Sequence, residues 1–386
     1  MNRVLLLAVA FAVACGPVPV EADAGNSGGG LAPGGGPAGG ASGGAAGGTA
    51  GGAAGGSAGG SAGGAAGGTA GGDAGGTAGG FGGGGAAGGT AGGSAGGSAG
   101  GVSGLDPIPD GGPTVQRVDG GFQFLEGPLW LADEGALLFT DIPANRIYRY
   151  SPTTGFSLFR QNSGGANGLG RLPDGTLLAC EHGNRRVSRT FDGGIQSLVE
   201  RFDGGRFNSP NDIAVAADGT IYFSDPPYGL AGRPAEVPFT GVYRRRPDGT
   251  LQVLITDMRR ANGVVLSPDE STLYVADSED DFFRIYRLSP DGGFVSFTQV
   301  PTTQQGGGGG DGLGMDDDGN LYVTTGGAPG GGGAVKIYRP DGGYLGRIPV
   351  PQNTTNVSFG GADRRTLFIT AGTALYQVRL QVPGKP

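Results

Sequence analysis

Cysteine occurs twice in the chain, at Cys15 and Cys180, histidine once, at His182, and lysine twice, at Lys336 and Lys385. Two cysteines exclude a disulfide scaffold. A single histidine excludes a metal site built on several imidazoles. No glycine run is followed by Gly-Lys-Ser/Thr, so there is no phosphate loop. The part of the chain able to fold has no Gly-x-Ser-x-Gly elbow for a serine nucleophile. Basic charge is scarce as well: the net charge is -8 and the pI about 4.7. That balance argues against nucleic acid as a partner. The apolar run from Val4 to Ala14 is too short to cross a bilayer.

Glycine, by contrast, supplies 89 of 386 residues. Of these, 42 fall in the 84 residues from Glu21 to Gly104, and most of the rest there are Ala, Ser or Thr. Such a stretch cannot bury a core. Its AGGT, AGGS and AGGA units repeat every four residues, which excludes a collagen helix with Gly at every third position. Residues 16–112 are therefore expected to form a disordered tether with an r.m.s. span of roughly 50–60 Å. Ahead of it, a charged start, a short apolar run and small residues read as an export signal over residues 1–15. Ala12-Val13-Ala14-Cys15-Gly16 resembles a bacterial lipobox, with Ala12 where Leu is usual. Cys15 is then expected to carry lipid and hold the protein at the cell envelope. An ordinary export signal that happens to contain a Cys is the other reading.

From residue 113 to the end, one pattern recurs: a turn signal, then a short apolar, β-prone run. The runs begin at Leu137, Leu177, Ile221, Leu273, Leu321 and Leu367, with gaps of 40, 44, 52, 48 and 46. A strand-only repeat of this length signals a propeller. A second, alternating run follows each, such as Ile147-Tyr148-Arg149 and Ile285-Tyr286-Arg287, and Asp-Gly turns then mark hairpins. The expected fold is all-β, a six-bladed propeller of four-stranded antiparallel blades. The last blade lacks a fourth strand, and Thr114–Val118 is expected to supply it and close the ring.

Ten or eleven residues before each run stand Glu126, Asn167, Asn211, Asn262, Asp311 and Asn356. Each begins an innermost strand, so every blade is expected to offer an oxygen to one level of the channel mouth. Two carboxylates converging there repel, and a divalent cation removes that cost. Oxygen ligands favour a hard ion such as Ca²⁺ or Mg²⁺. Asp141, Glu181, His182, Asp225 and Asp277 end or follow second strands on the same rim. Asp141 and Asp277 read as strand-end caps, whereas His182 and Asp225 are expected to face substrate. Cys180 reads as a small core residue.

Several stretches carry a resemblance: Leu125-Glu126-Gly127-Pro128-Leu129-Trp130, ACEHGNRRV (179–187), FNSPNDI (207–213), YFSDPPYGL (222–230), ANGVVLSPDE (261–270) and GDGLGMDDDG (310–319). Together they resemble the gluconolactonase, or SMP-30/regucalcin-like, family, and its bacterial gluconolactonase branch most. The resemblance implies hydrolysis of a sugar lactone. It implies one divalent cation, calcium first, with Mg²⁺, Mn²⁺ or Zn²⁺ as other choices, held by Glu126, Asn262 and Asp311. Asn211 would ligate the metal or touch substrate, Asp311 would also be the general base, and His182 and Tyr228 would contact substrate hydroxyls. The family assigns no ligand role to Asn167 or Asn356. The competing expectation is a non-enzymatic cell-surface propeller that binds a sugar or protein around a structural metal.

Overall fold

The computed structural model describes residues 106–304, 306, 308–327 and 331–385. The expected export signal, the lipid site Cys15 and nearly all of the tether lie outside the described residues. Six four-stranded antiparallel sheets follow one another along the chain. Blade one comprises Leu125–Leu131, Ala136–Asp141, Arg146–Ser151 and Gly155–Gln161, from the channel outward. Blades two to five repeat that order, beginning at Ala166–Arg171, Ile213–Val215, Ala261–Leu266 and Gly310–Met315. Blade six has Thr354–Gly360, Thr366–Ala371 and Ala374–Arg379, and its fourth strand is Gln116–Gly120. The closing strand thus lies two residues later than Thr114–Val118, with Gln116 opposite Gln377 and Gly120 opposite Ala374. The folded body also starts before residue 113. The Pro107 carbonyl accepts from the Gln381 amide at 3.2 Å, and Ile108 packs against the core of the last two blades.

The second strands are buried along their length, as at Ala136–Asp141 and Ile221–Asp225. Both of their faces meet a neighbouring blade, so they read as unbroken apolar runs. This is why the repeat shows in the sequence. Apolar side chains form six clusters, each shared by two adjacent blades; Leu125, Leu137 and Phe139 of blade one join Phe368 and Leu375 of blade six. Turn chemistry fixes the hairpins. Asp192 and Gly193 both have positive φ, 51° and 73°, as a two-residue turn between twisted strands requires. Cys180 is fully buried in the cluster between blades two and three.

At the lower end of the channel the chain crosses beneath three blades. Lys385 donates its amide to Met315 at 2.9 Å and its Nζ to the Leu266 carbonyl at 3.2 Å. Gly384 lies against the Phe359 ring. A cavity of about 500 Å³ is also on this face, between blades three and four, lined in part by Tyr222, Arg244 and Glu270.

Ring closure makes a direct prediction. A chain starting at Gly121 loses the strand paired with Ala374–Arg379 and exposes a sheet edge. It should melt about 10 °C or more below the full chain, since each kcal/mol is worth about 2–4 °C at this size. An unchanged melting temperature by differential scanning fluorimetry would show that closure contributes little.

Candidate active site at the channel mouth

The innermost strands share a defect at their upper ends. Pairing with the second strand shifts between Glu126 and Leu129, Ala166 and Leu169, Ala261 and Val264, Gly310 and Leu313, and Thr354 and Asn356. Each shift is a bulge, which bends a strand and re-aims its side chains. Glu126, Asn167, Asn262, Asp311 and Asn356 all stand at these bulges. In blade three the ladder begins only at Ile213, but Asn211 still donates its amide to Ser224 O at 2.8 Å. The six positions expected at the mouth are therefore equivalent in the fold.

Close backbone approach accompanies the bulges. A Cβ on Gly127 would stand 1.9 Å from the Asn167 carbonyl oxygen, and one on Gly263 would stand 2.3 Å from that of Asp311. Gly168 donates its amide to Asn211 O at 2.8 Å. In four blades glycine follows the mouth residue: Gly127, Gly168, Gly263 and Gly312. In blade six it is Val357, and in blade three it is an acid, Asp212.

The amides form a directed chain. Asn167 Nδ2 donates to Asn211 Oδ1, and Asn211 Nδ2 donates to Asn262 Oδ1. Asn262 Nδ2 lies 3.4 Å from both Tyr228 OH and Ser278 Oγ, which bond each other. His182 Nε2 is 3.0 Å from Asn211 Oδ1. Burial keeps the imidazole neutral, its pKa lowered to about 4 despite the bond to Asn211. On the other side of the mouth, Glu126 Oε2 accepts from the Gly127 amide at 2.9 Å and from Asn356 Nδ2 at 3.2 Å.

Acid collects here without basic partners. Burial, then the Asp311 charge, push Glu126 well above the usual carboxylate range. Burial and the Asp212 charge raise Asp311 to about 7, against a bond from Asn262. Burial raises Asp212 to about 6, although its oxygens accept from the Ile213 and Val264 amides at 3.0 and 3.1 Å. Sequence reasoning missed Asp212. The signal was present: it is the one acid at a position where the other blades carry glycine or valine.

The rim residues divide. His182 and Tyr228 reach the amide chain. Asp225, expected to face substrate, is committed instead to backbone amides. It is fully buried, and its oxygens accept from the Asn208 and Ser209 amides at 2.8 and 2.7 Å. It braces the loop entering blade three. Asp141 and Asp277 do the same work, accepting from the Phe124 amide at 3.1 Å and the Arg259 amide at 2.9 Å. Among the described residues, no three His, Cys, Asp or Glu side chains converge as a metal-holding group. A cation at the mouth would need carboxylate and amide oxygens together.

Residues 124–373 match the family described as the SMP-30/Gluconolactonase/LRE-like region. A gluconolactonase of Zymomonas mobilis is 34% identical over 72% of this chain and 85% of its own length. The pentonolactonase XacC of Haloferax volcanii is 31% identical over 67% of this chain and 84% of its own. Among solved structures, a gluconolactonase from Xanthomonas campestris is 31% identical, with a TM-score of 0.64 over 71% of this chain and 91% of that one. With its bulged, oxygen-lined mouth on six blades, the chain belongs to the SMP-30/gluconolactonase family of hydrolases, whose general chemistry is that of lactonases.

Proposed function

We propose that the protein hydrolyses a sugar lactone to its hydroxy acid at the channel mouth, with a divalent cation held by Glu126, Asn262 and Asp311. The carrying observation is the uncompensated acid. No Lys or Arg is among the groups that shift Glu126, Asp212 and Asp311; the charges of Asp311 and Asp212 raise Glu126, and that of Asp212 raises Asp311. A bound divalent cation removes that repulsion. The donor set fits a hard ion, calcium first, with Mg²⁺, Mn²⁺ or Zn²⁺ as other choices. Asn262 Oδ1 accepts one hydrogen bond, from Asn211, and keeps a lone pair. Asn211 Oδ1 already accepts from Asn167 and His182, so Asn211 is assigned to substrate rather than to metal. Relatives named for gluconolactone and pentonolactone support a sugar lactone as substrate.

When bound, the cation supplies electrophilic polarisation of the lactone carbonyl. Asp311 takes a proton from the attacking water as the general base. Neutral His182 holds the Asn211 oxygen and, with Tyr228, meets the substrate hydroxyls.

The Asp311→Asn variant should keep its fold by circular dichroism and lose about 10²–10⁴-fold in kcat, read as acid release from glucono-1,5-lactone. An unchanged rate removes Asp311 as base. A wild-type protein that binds cation yet opens no lactone would favour the surface scaffold with a structural metal.

The raised carboxyls set a stability test that needs no substrate. Asp212 and Asp316 titrate at about 6, and Asp225 and Asp311 at about 7, all above the ordinary 3.8. Groups raised on folding stabilise fully below their unfolded pKa and lose that stabilisation as pH rises through the folded one. His182, lowered to about 4, acts oppositely below pH 6.5 but is a single group. Chelated protein should therefore melt at progressively lower temperature from about pH 5 to pH 7.5. Calcium should raise the melting temperature most at the upper end. A calcium effect that is flat with pH would count against the carboxylate site.

Cys15 is proposed to be the lipid-bearing residue that keeps the protein at the cell envelope. Cys15→Ala should move it from the membrane fraction to the soluble one, and continued sedimentation with membranes would exclude the anchor.

A further inference from the structure

We propose that Arg233 is a positioning residue. It ties the turn that carries Tyr228 to the loop that carries His182, and so sets which substrates the mouth grips. The inference rests on the lactonase reading and extends it to a residue outside the mouth.

Tyr228 stands on the 3₁₀ turn Pro227–Leu230, within the long connection after the second strand of blade three. The turn cannot hold itself. It is four residues long, has no side-chain cap at its start, and ends at Ala231 with a left-handed φ of 49°. A single turn is far below the length at which a helix is stable alone. From beneath, Ser209 Oγ accepts the Gly229 amide at 2.8 Å and donates to the Pro226 carbonyl.

From the side, one guanidinium does the rest. Arg233 Nε donates to Leu230 O at 2.9 Å, and Nη2 donates to Gly229 O at 2.6 Å. Nη1 donates to Gly183 O at 3.1 Å, and Nη2 reaches His182 O at 3.5 Å. Two of these carbonyls belong to the turn, and two to the loop leaving the second strand of blade two. The planar fork of arginine can serve both, whereas an ammonium cannot spread its donors in that way. The contact it enforces is close: a Cβ on Gly229 would fall 2.6 Å from His182 Cβ and 2.9 Å from Ser209 Cβ.

The far end of the turn closes the bridge. Tyr228 OH bonds Ser278 and lies 3.4 Å from Asn262 Nδ2, both in blade four. The Arg260 guanidinium lies over the Tyr228 ring, 5.4 Å from its centroid. Blades two, three and four are thus linked above the mouth through Arg233 and Tyr228. Freeing the turn leaves Glu126 and Asp311 in place but lets Tyr228 and His182 separate.

The test uses Arg233→Met, Arg233→Ala and Gly229→Ala in the full chain. Arg233 is solvent-exposed, so its two variants should fold and bind calcium as wild type does. KM for glucono-1,5-lactone should rise about tenfold with kcat changed less than about twofold, the pattern for lost substrate positioning. Preference for that lactone over unsubstituted δ-valerolactone should shrink by a similar factor. Guanidinium chloride at millimolar concentration should restore the KM of Arg233→Ala but not that of Gly229→Ala. Amide hydrogen exchange across 226–233 should speed up in all three variants, a readout that holds even if no lactone proves to be a substrate. Unchanged exchange in that segment would overturn the bridge. Faster exchange with KM and preference unchanged would overturn its role in substrate selection.

Discussion

At the channel mouth, the carbonyl of one inner strand lies where a side chain of the preceding blade would otherwise stand. The Asn167 oxygen takes the space beside Gly127, and the Asp311 oxygen the space beside Gly263. This close approach depends on the bulge at each strand's upper end, and the bulge turns the mouth residue inward. Packing and chemistry are one arrangement here. The glycines let the blades meet, and the bulges give each blade one polar group at the same level. In blade three the position after the mouth residue is Asp212, and its two oxygens bond to backbone amides of blades three and four.

The consequence is electrostatic. A ring of amides alone would be neutral, with its hydrogen bonds largely satisfied within itself, as the run from Asn167 to Asn262 shows. Replacing amides by Glu126 and Asp311, and placing Asp212 beside them, puts acid into a buried site that offers no cation of its own. Elsewhere the protein handles buried acid differently. Asp225 and Asp277 are solvated by loop amides, and Glu181 pairs with Arg186 at 2.7 Å. The mouth is set apart by gathering carboxylates whose charges raise Glu126 and Asp311.

Much of this was legible because the second strands lie between blades. Burial on both faces forces runs such as Leu137-Leu138-Phe139, and their spacing counts the blades. The mouth residues followed from a fixed offset to those runs. What the sequence hid were contacts between distant segments. Asp225 looked like Glu181 and His182, a polar residue ending a second strand, yet its oxygens are held by amides sixteen and seventeen residues earlier. The closing strand was placed two residues early because a bulge between Arg117 and Asp119 breaks the alternation expected of a strand. Residues near Ile108 read as the end of a flexible stretch because their partners lie some 270 residues away. Arg233 carried no pattern at all, since its acceptors are backbone carbonyls, which any sequence provides.

The two ends of the channel differ in a way that bears on the chemistry. Below, the chain near its end passes from Arg364 to Met315 and Leu266, touching the inner-strand ends of three blades. Gly384 fills the space beside Phe359, and Asp316, fully buried, bridges to Gly384. The adjoining cavity between blades three and four is lined by satisfied arginines, with Arg244 donating to Asp291 O at 2.8 Å and to Gln252 at 2.7 Å. Nothing in that lining repeats the unneutralised acid of the mouth. The longest connection after a second strand, residues 226–240, lies at the upper end. The fold thus gathers its clustered acid and the loop that carries Tyr228 on one face while the opposite face is spent on closure.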